Sequence, residues 1–153
     1  MSENEEIIPE TTRQLAALYQ ITAAIEHFHK HELECSITLA AAAEGILPDA
    51  EGGFLFQQFK TRASTKKREN LDHLNFVQNW LKHGKYNGKE VESIGIAEFF
   101  AVISLLRAIT KFVAVYRRET PDMAEFVDWS RDNGYPGREG NWKRRRLRIV
   151  RFG

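Results

Sequence analysis

The length, composition and charge of the chain indicate a single globular domain. Its 153 residues suffice to bury a core, and 42% hydrophobic with 28% charged residues argue against both the disordered and the membrane classes. The formal net charge of +1 also excludes a strong overall attraction to nucleic acid.

The first two predicted elements are helices near the N-terminus. Pro9 suits a first helical turn, and apolar residues recur at three- and four-residue steps, which predicts an amphipathic helix over about residues 10–30. These apolar residues are Leu15, Leu18, Ile21, Ile25 and Phe28. A second helix is predicted over about residues 34–46, ending before Pro48. Its run of alanines allows another helix to approach closely.

The middle of the chain predicts a loop, a short helix and a longer one. The segment PDAEGG has turn chemistry, FLFQQFK is a short apolar stretch with helical character, and TRASTKKREN is a charged connector. A third long helix is predicted over about residues 69–82. We expect it to end at His83 and Gly84, because glycine readily takes the left-handed conformation after a helix.

The strongest helical pattern covers about residues 94–117. Apolar residues occupy nearly its whole circumference, so this helix is central to the fold or shared with a partner chain. A last helix follows, with Thr120 as N-cap, Pro121 in its first turn and Gly134 as its stop. The sequence thus predicts an all-α, single-domain bundle of four or five helices over residues 10–133 and a basic tail over residues 134–153, in which LRIVRF suggests one short strand.

Cysteine usage and the N-terminus predict a cytoplasmic protein. Cys35 is the only cysteine, so an internal disulfide is excluded, and the acidic start MSENEEIIPE does not fit a secretory signal. The apolar region over residues 94–116 is interrupted by polar and charged residues, among them Glu98, Ser104, Arg107 and Lys111. We therefore interpret it as a buried core helix and predict no membrane contact.

A histidine tract, EHFHKHE, is the first of four segments whose residues could form a functional site. His27 and His31 lie four residues apart and would share a helical face, a spacing that can hold a divalent metal if a further ligand arrives. The residue after His27 is Phe28, not the glutamate of a metalloprotease motif. Surface histidines at a helix end are the favoured interpretation, so we predict no metal and no cofactor.

The second candidate segment is AAAAEGIL, which contains Glu44. A carboxylate among alanines either faces solvent or is buried, and a buried carboxylate needs a partner such as Arg107 or Lys111. We favour a structural role over a catalytic one, because lone charged positions are usually solvated or paired.

The segment NFVQNWLKHG is the third. Asn79 and His83 lie four residues apart on one face of the third helix, with Lys82 and Lys85 nearby, so an amide, an imidazole and cationic groups could converge on one phosphate. Histidine exchanges protons near neutral pH, and lysine offsets phosphoryl charge. The competing interpretation is a polar helix end, where histidine and lysine favour the negative end of the dipole regardless of function.

The basic tail is the fourth. Residues 138–153 contain seven arginines and lysines against one glutamate, whereas the rest of the chain is weakly acidic. An aromatic residue stands among these cations, a mixture suited to phosphate contact and base stacking. The candidate nucleic-acid residues are Trp142, Lys143, Arg144, Arg145 and Arg146. Docking of the tail on the protein itself is the alternative.

The order of three segments resembles the HEPN-like family of small bacterial helical proteins. These segments are ITAAIEHFHKHELECSITLAAAAEGIL, NFVQNWLKHG and the stretch from IAEFF to FVDW, together about residues 12–130. The resemblance implies a helical bundle, a homodimer, and a histidine helix that faces a cleft. HEPN ribonucleases cleave RNA without a metal through a histidine and an arginine a few residues before it. His83 matches the histidine, and Asn79 stands near the polar position.

The arginine of the HEPN ribonucleases is missing here. Residues 76–79 are Phe-Val-Gln-Asn, and Lys82 can supply only a point charge in place of a bidentate contact. We therefore favour a non-catalytic helical module, which contacts RNA or a small ligand near Asn79 and His83. The alternative is a divergent, metal-independent ribonuclease in which His83, Lys82 and Asn79 act on the phosphate.

Overall fold

The computed structural model describes residues 6–49 and 65–135, the backbone alone being described over residues 65–73. Within these ranges the chain forms five helices and one hairpin. They are α1 (Arg13–His29), α2 (Leu33–Ile46), α3 (Thr65–His83), β1 (Lys85–Tyr86), β2 (Lys89–Glu90), α4 (Glu98–Tyr116) and α5 (Pro121–Asp132). The predicted all-α bundle is confirmed. The predicted helix in FLFQQFK and strand in LRIVRF lie outside the described residues.

Side-chain capping sets where α1 and α5 begin. The Oγ1 atom of Thr12 accepts a hydrogen bond from the Leu15 N–H at 3.1 Å, so α1 begins at Arg13 and Pro9 lies before the helix instead of in its first turn. Thr120 caps α5 in the same way, accepting from the Met123 N–H at 3.2 Å, as predicted. Helix α3 begins at Thr65, so the end of the predicted charged connector is helical.

The hairpin between α3 and α4 was not predicted. It pairs Lys85 with Glu90 and Tyr86 with Lys89 in antiparallel register. Its two turn residues, Asn87 and Gly88, have positive φ angles of 48° and 76°, as the tight hairpin turns favoured by Asn-Gly require.

Helix α4 is the centre of the bundle. All of residues 101–109 are buried, and the helix packs against α1, α2 and α5. Over residues 101–109 its circumference is therefore covered within one chain. By length and composition α4 could also cross a membrane, but 56% of its most apolar window is buried inside the bundle, as expected of a core helix.

Small residues bring α1 and α2 together. Ala17, Ala24, Ala40 and Ala43 are fully buried, which allows the two helices to pack closely along their length. Between them the buried Ser36 hydroxyl donates to the Ala24 carbonyl oxygen at 2.8 Å, so the one polar side chain here is satisfied.

An ion pair joins α2 to α4. Arg107 donates to the Glu44 carboxylate oxygen Oε1 from Nη2 at 2.8 Å and from Nε at 3.2 Å, and the two side chains are only 8% and 18% exposed. The Lys111 amine donates to the Glu44 main-chain oxygen at 3.0 Å. Of the two partners considered from the sequence, Arg107 thus pairs with the carboxylate, which supports the structural role of Glu44.

We expect Glu44→Ala to lower the free energy of unfolding by about 2–3 kcal/mol. Removing one partner of a buried pair costs about 3–5 kcal/mol because the other charge stays buried, and the partial exposure of Glu44 reduces this. Glu44→Gln keeps an oxygen acceptor and is the matched control, with a smaller loss. Urea unfolding measures both, and a change below about 0.5 kcal/mol in Glu44→Ala would contradict the assigned role.

Candidate functional site

The C-terminal end of α3 carries the hairpin folded back against it. The indole N–H of Trp80 donates to the Val91 carbonyl oxygen at 2.8 Å, and the Val91 N–H donates to the Gly84 oxygen at 3.0 Å. The rings of Phe76 and Tyr86 meet edge to face with centroids 4.6 Å apart. These contacts attach the hairpin to α3 both at its base, through Val91, and beside its turn, through Tyr86.

Gly84 ends α3 as predicted. Its N–H donates to the Trp80 oxygen at 2.7 Å and its φ is +65°, the left-handed conformation that glycine adopts at little cost. The chain reverses here, so the hairpin begins directly after His83.

One side of α3 is used for packing. Leu74 and Val77 are buried, and the Gln78 amide donates to the Ser104 hydroxyl on α4 at 3.3 Å. The Gln78 side chain is therefore engaged with the core. Phe76 and Leu81 pack against the core as partly buried residues.

The predicted site residues lie on the solvent-facing side of the same helix end. Asn79, Lys82 and His83 are all exposed. Over residues 6–49 and 74–135, none of their side chains has a hydrogen bond or an ion pair to another residue. The structure therefore places the three exposed side chains together at the end of α3.

The hairpin carries two further cations: Lys85, which is expected near the site from the sequence, and Lys89, which is not. Lys85 and Lys89 are exposed, and neither forms an ion pair within the described parts of the chain, although Glu90 lies opposite Lys85 in the hairpin. Tyr86 is 51% exposed and shares one face of the hairpin with its partner Lys89, whereas Lys85 shares the opposite face with Glu90. The Asn-Gly turn was the signal that could have predicted the hairpin and so placed Lys89 and Tyr86 near His83. We call the surface formed by Asn79, Lys82, His83, Lys85 and Lys89, with Tyr86 among them, the cationic end.

A surface depression of about 520 Å³ lies elsewhere on the bundle. Residues 11–13, Ala16 and residues 45–47 line it, where the start of α1 meets the end of α2. Its lining contains no residue of the cationic end. The cationic end therefore consists of exposed side chains at the helix terminus and on the hairpin.

The histidine tract does not form the predicted helical face. Helix α1 ends at His29, and His31 lies beyond it with a φ of +59°, so His27 and His31 do not share a helical surface. His27 instead faces Glu32, with 3.5 Å between its Nδ1 atom and the carboxylate oxygen. The tail residues Trp142, Lys143 and residues 144–146 lie outside the described residues.

The fold and site together define a small all-α bundle with an exposed cationic end. Comparisons with protein-family models, with curated proteins and with solved structures gave no match for this chain. The resemblance to the HEPN-like family therefore remains a prediction from the sequence motifs.

We expect Trp80→Phe to loosen the hairpin while leaving the bundle intact. The phenyl ring keeps part of the packing, but the Val91 oxygen loses its donor, at a cost of about 1 kcal/mol. Hydrogen exchange should accelerate for the amides of residues 85–91 and stay unchanged in α4. Trp129→Phe is the control, since that indole packs against Phe28. Unchanged exchange in the hairpin of Trp80→Phe would show that this hydrogen bond does not hold it.

Proposed function

We propose that the protein is a non-catalytic, HEPN-like helical module that binds single-stranded RNA through the cationic end. The observation that carries the proposal is the exposure of Lys82, Lys85 and Lys89 around His83, without an ion pair to any described residue. Amines that have no carboxylate partner are available to neutralise phosphates.

The chemistry of the cationic end favours a single strand. The three lysines lie at the α3 end and on the two strands of the hairpin, and a flexible single strand can bend to contact charges on more than one face. Tyr86 presents an aromatic ring among them, and exposed aromatic rings stack on unpaired bases. The Asn79 amide and the His83 imidazole supply hydrogen-bonding groups beside these charges.

Binding is favoured over cleavage because the partners of an active histidine are lacking. No described carboxylate forms an ion pair with His83, whereas a general base normally has a group that orients it. Gln78 is turned toward Ser104, and residues 76–79 contain no arginine. The alternative, a divergent metal-independent ribonuclease, draws support from the freely accessible His83 imidazole beside Lys82.

Two further parts of the proposal rest on the sequence. Residues 138–153, with their seven basic residues, would supply a second RNA contact centred on Trp142 and residues 143–146. A homodimer follows from the HEPN resemblance. Such a dimer would use a surface other than residues 101–109 of α4, which are buried within one chain.

We expect the triple variant Lys82→Gln, Lys85→Gln, Lys89→Gln to bind RNA at least about tenfold more weakly than the unaltered chain. Each lost phosphate contact on a single strand reduces the slope of log affinity against log salt by about 0.7, so the slope should fall by about 2. Fluorescence anisotropy with a labelled single-stranded RNA of mixed sequence, measured with the full chain at several salt concentrations, gives both quantities.

The matched control removes three positive charges elsewhere. Arg13, Lys30 and Arg118 are exposed on other elements, and their replacement by glutamine should leave the affinity within about twofold of the original. Equal losses in the two triple variants would indicate general charge attraction and would contradict a defined site. Deleting residues 138–153 measures the contribution of the tail separately.

The same RNA distinguishes binding from cleavage. We expect the unaltered chain and His83→Ala to leave the RNA equally intact over long incubation, with binding reduced only modestly in the variant. Decay that is present with the unaltered chain and lost with His83→Ala would instead establish the ribonuclease alternative.

A further inference from the structure

Three different metal-ligating side chains meet at the turn between α1 and α2. One nitrogen of His27, one carboxylate oxygen of Glu32 and the sulfur of Cys35 all lie within 4.8 Å of one another. The His27 Nδ1 atom and the Glu32 Oε1 atom are 3.5 Å apart. Such a cluster can hold a metal ion only if the backbone fixes it and if its atoms are not already engaged.

The backbone of the turn fixes the cluster. Beyond the end of α1, His31 takes the left-handed conformation with a φ of +59°, which reverses the chain. The Glu32 N–H then donates to the His27 carbonyl oxygen at 2.9 Å, so Glu32 is held beside His27. The Ser36 N–H donates to the Glu32 oxygen at 3.1 Å and starts α2, which places Cys35 in its first turn.

Within the described residues, none of the three ligand atoms takes part in a hydrogen bond. The Nδ1 atom of His27 is buried and lies 3.5 Å from the Glu32 carboxylate oxygen, without the geometry of a hydrogen bond. Glu32 is the N-cap of α2, but its side chain makes no capping hydrogen bond, and Cys35 is an exposed free thiol. Buried polar atoms normally have a hydrogen-bond partner, so this unsatisfied nitrogen is available as a metal ligand.

We propose that His27, Glu32 and Cys35 bind one Zn²⁺ ion. Imidazole nitrogen, carboxylate oxygen and thiolate sulfur are the ligands of zinc in proteins, whereas Mg²⁺ and Ca²⁺ prefer oxygen alone. Zinc distances of about 2.0–2.3 Å imply ligand separations of about 3.3–3.8 Å in a tetrahedron. The His27–Glu32 separation of 3.5 Å already satisfies this, and the Cys35 sulfur lies within 4.8 Å of both ligand atoms.

The charges also fit a divalent ion. The Cys35 thiol gives up its proton to solvent on binding, so the thiolate and the Glu32 carboxylate together neutralise Zn²⁺ while His27 stays neutral. Three protein ligands leave a fourth position for water. The bound ion would clamp the end of α1 to the start of α2 next to Phe28, which packs against Phe126 and Trp129 of α5. This site does not depend on RNA binding.

Zinc and cobalt titrations of the intact, chelator-stripped chain test the proposal. We expect one Zn²⁺ per chain by competition with a chromophoric chelator, and a raised melting temperature on binding. Co²⁺ in the same site should give a thiolate-to-metal charge-transfer absorption that Cys35→Ser abolishes. His27→Gln and Glu32→Gln should each weaken zinc binding by at least about tenfold.

Matched controls come from the same turn. His29 and His31 are exposed and lie outside the cluster, so His29→Gln and His31→Gln should bind zinc as the unaltered chain does. Circular dichroism confirms that each variant is folded before titration. Failure of the intact chain to bind zinc would overturn the proposal. So would wild-type affinity in folded Cys35→Ser and His27→Gln, or a loss confined to the His29 and His31 variants, which would assign binding to the surface histidine tract.

Discussion

The burial of α4 with an arginine inside it is the constraint on which the rest of the bundle depends. Residues 101–109 must be covered on all sides, and Arg107 needs a negative partner at that depth. Glu44 on α2 supplies it, which fixes the position of α2 along α4. Helix α1 then packs on α2 through small side chains, and α3 joins the core through Val77 and Gln78.

Two kinds of polar residue occur on the described parts of α2 and α3. Glu44 and Gln78, which face the core, have protein partners and therefore stabilise the fold. Those at the end of α3, above all Lys82 and His83, have none among the described residues. Gln78 and these two residues lie on the same helix, but only Gln78 has a partner in the described core. This difference is the physical basis for proposing a binding surface at the end of α3. The hairpin extends that surface with Lys85, Tyr86 and Lys89.

Periodicity and capping residues were sufficient to predict the helices and the general architecture. The hairpin was not predicted, because its two strands are short and consist of exposed residues without apolar alternation. The Asn-Gly pair was the one sequence signal for it. For Glu44 the sequence offered two cations as partners. Arg107 lies 63 residues away in the chain, so only the tertiary structure shows which cation contacts the carboxylate. The cluster of His27, Glu32 and Cys35 was missed because four-residue spacing assumes an unbroken helix, and His31 reverses the chain.

Mapping RNA contacts along the backbone by NMR tests the central proposal most directly. Adding a short single-stranded RNA to the isotope-labelled chain should shift the amide resonances of residues 79–91 most strongly, with little change in α1 and α2. Shifts that reverse at high salt would fit phosphate contacts by lysines. Shifts confined to residues 138–153, or no shifts at all, would contradict the assignment of RNA binding to the cationic end.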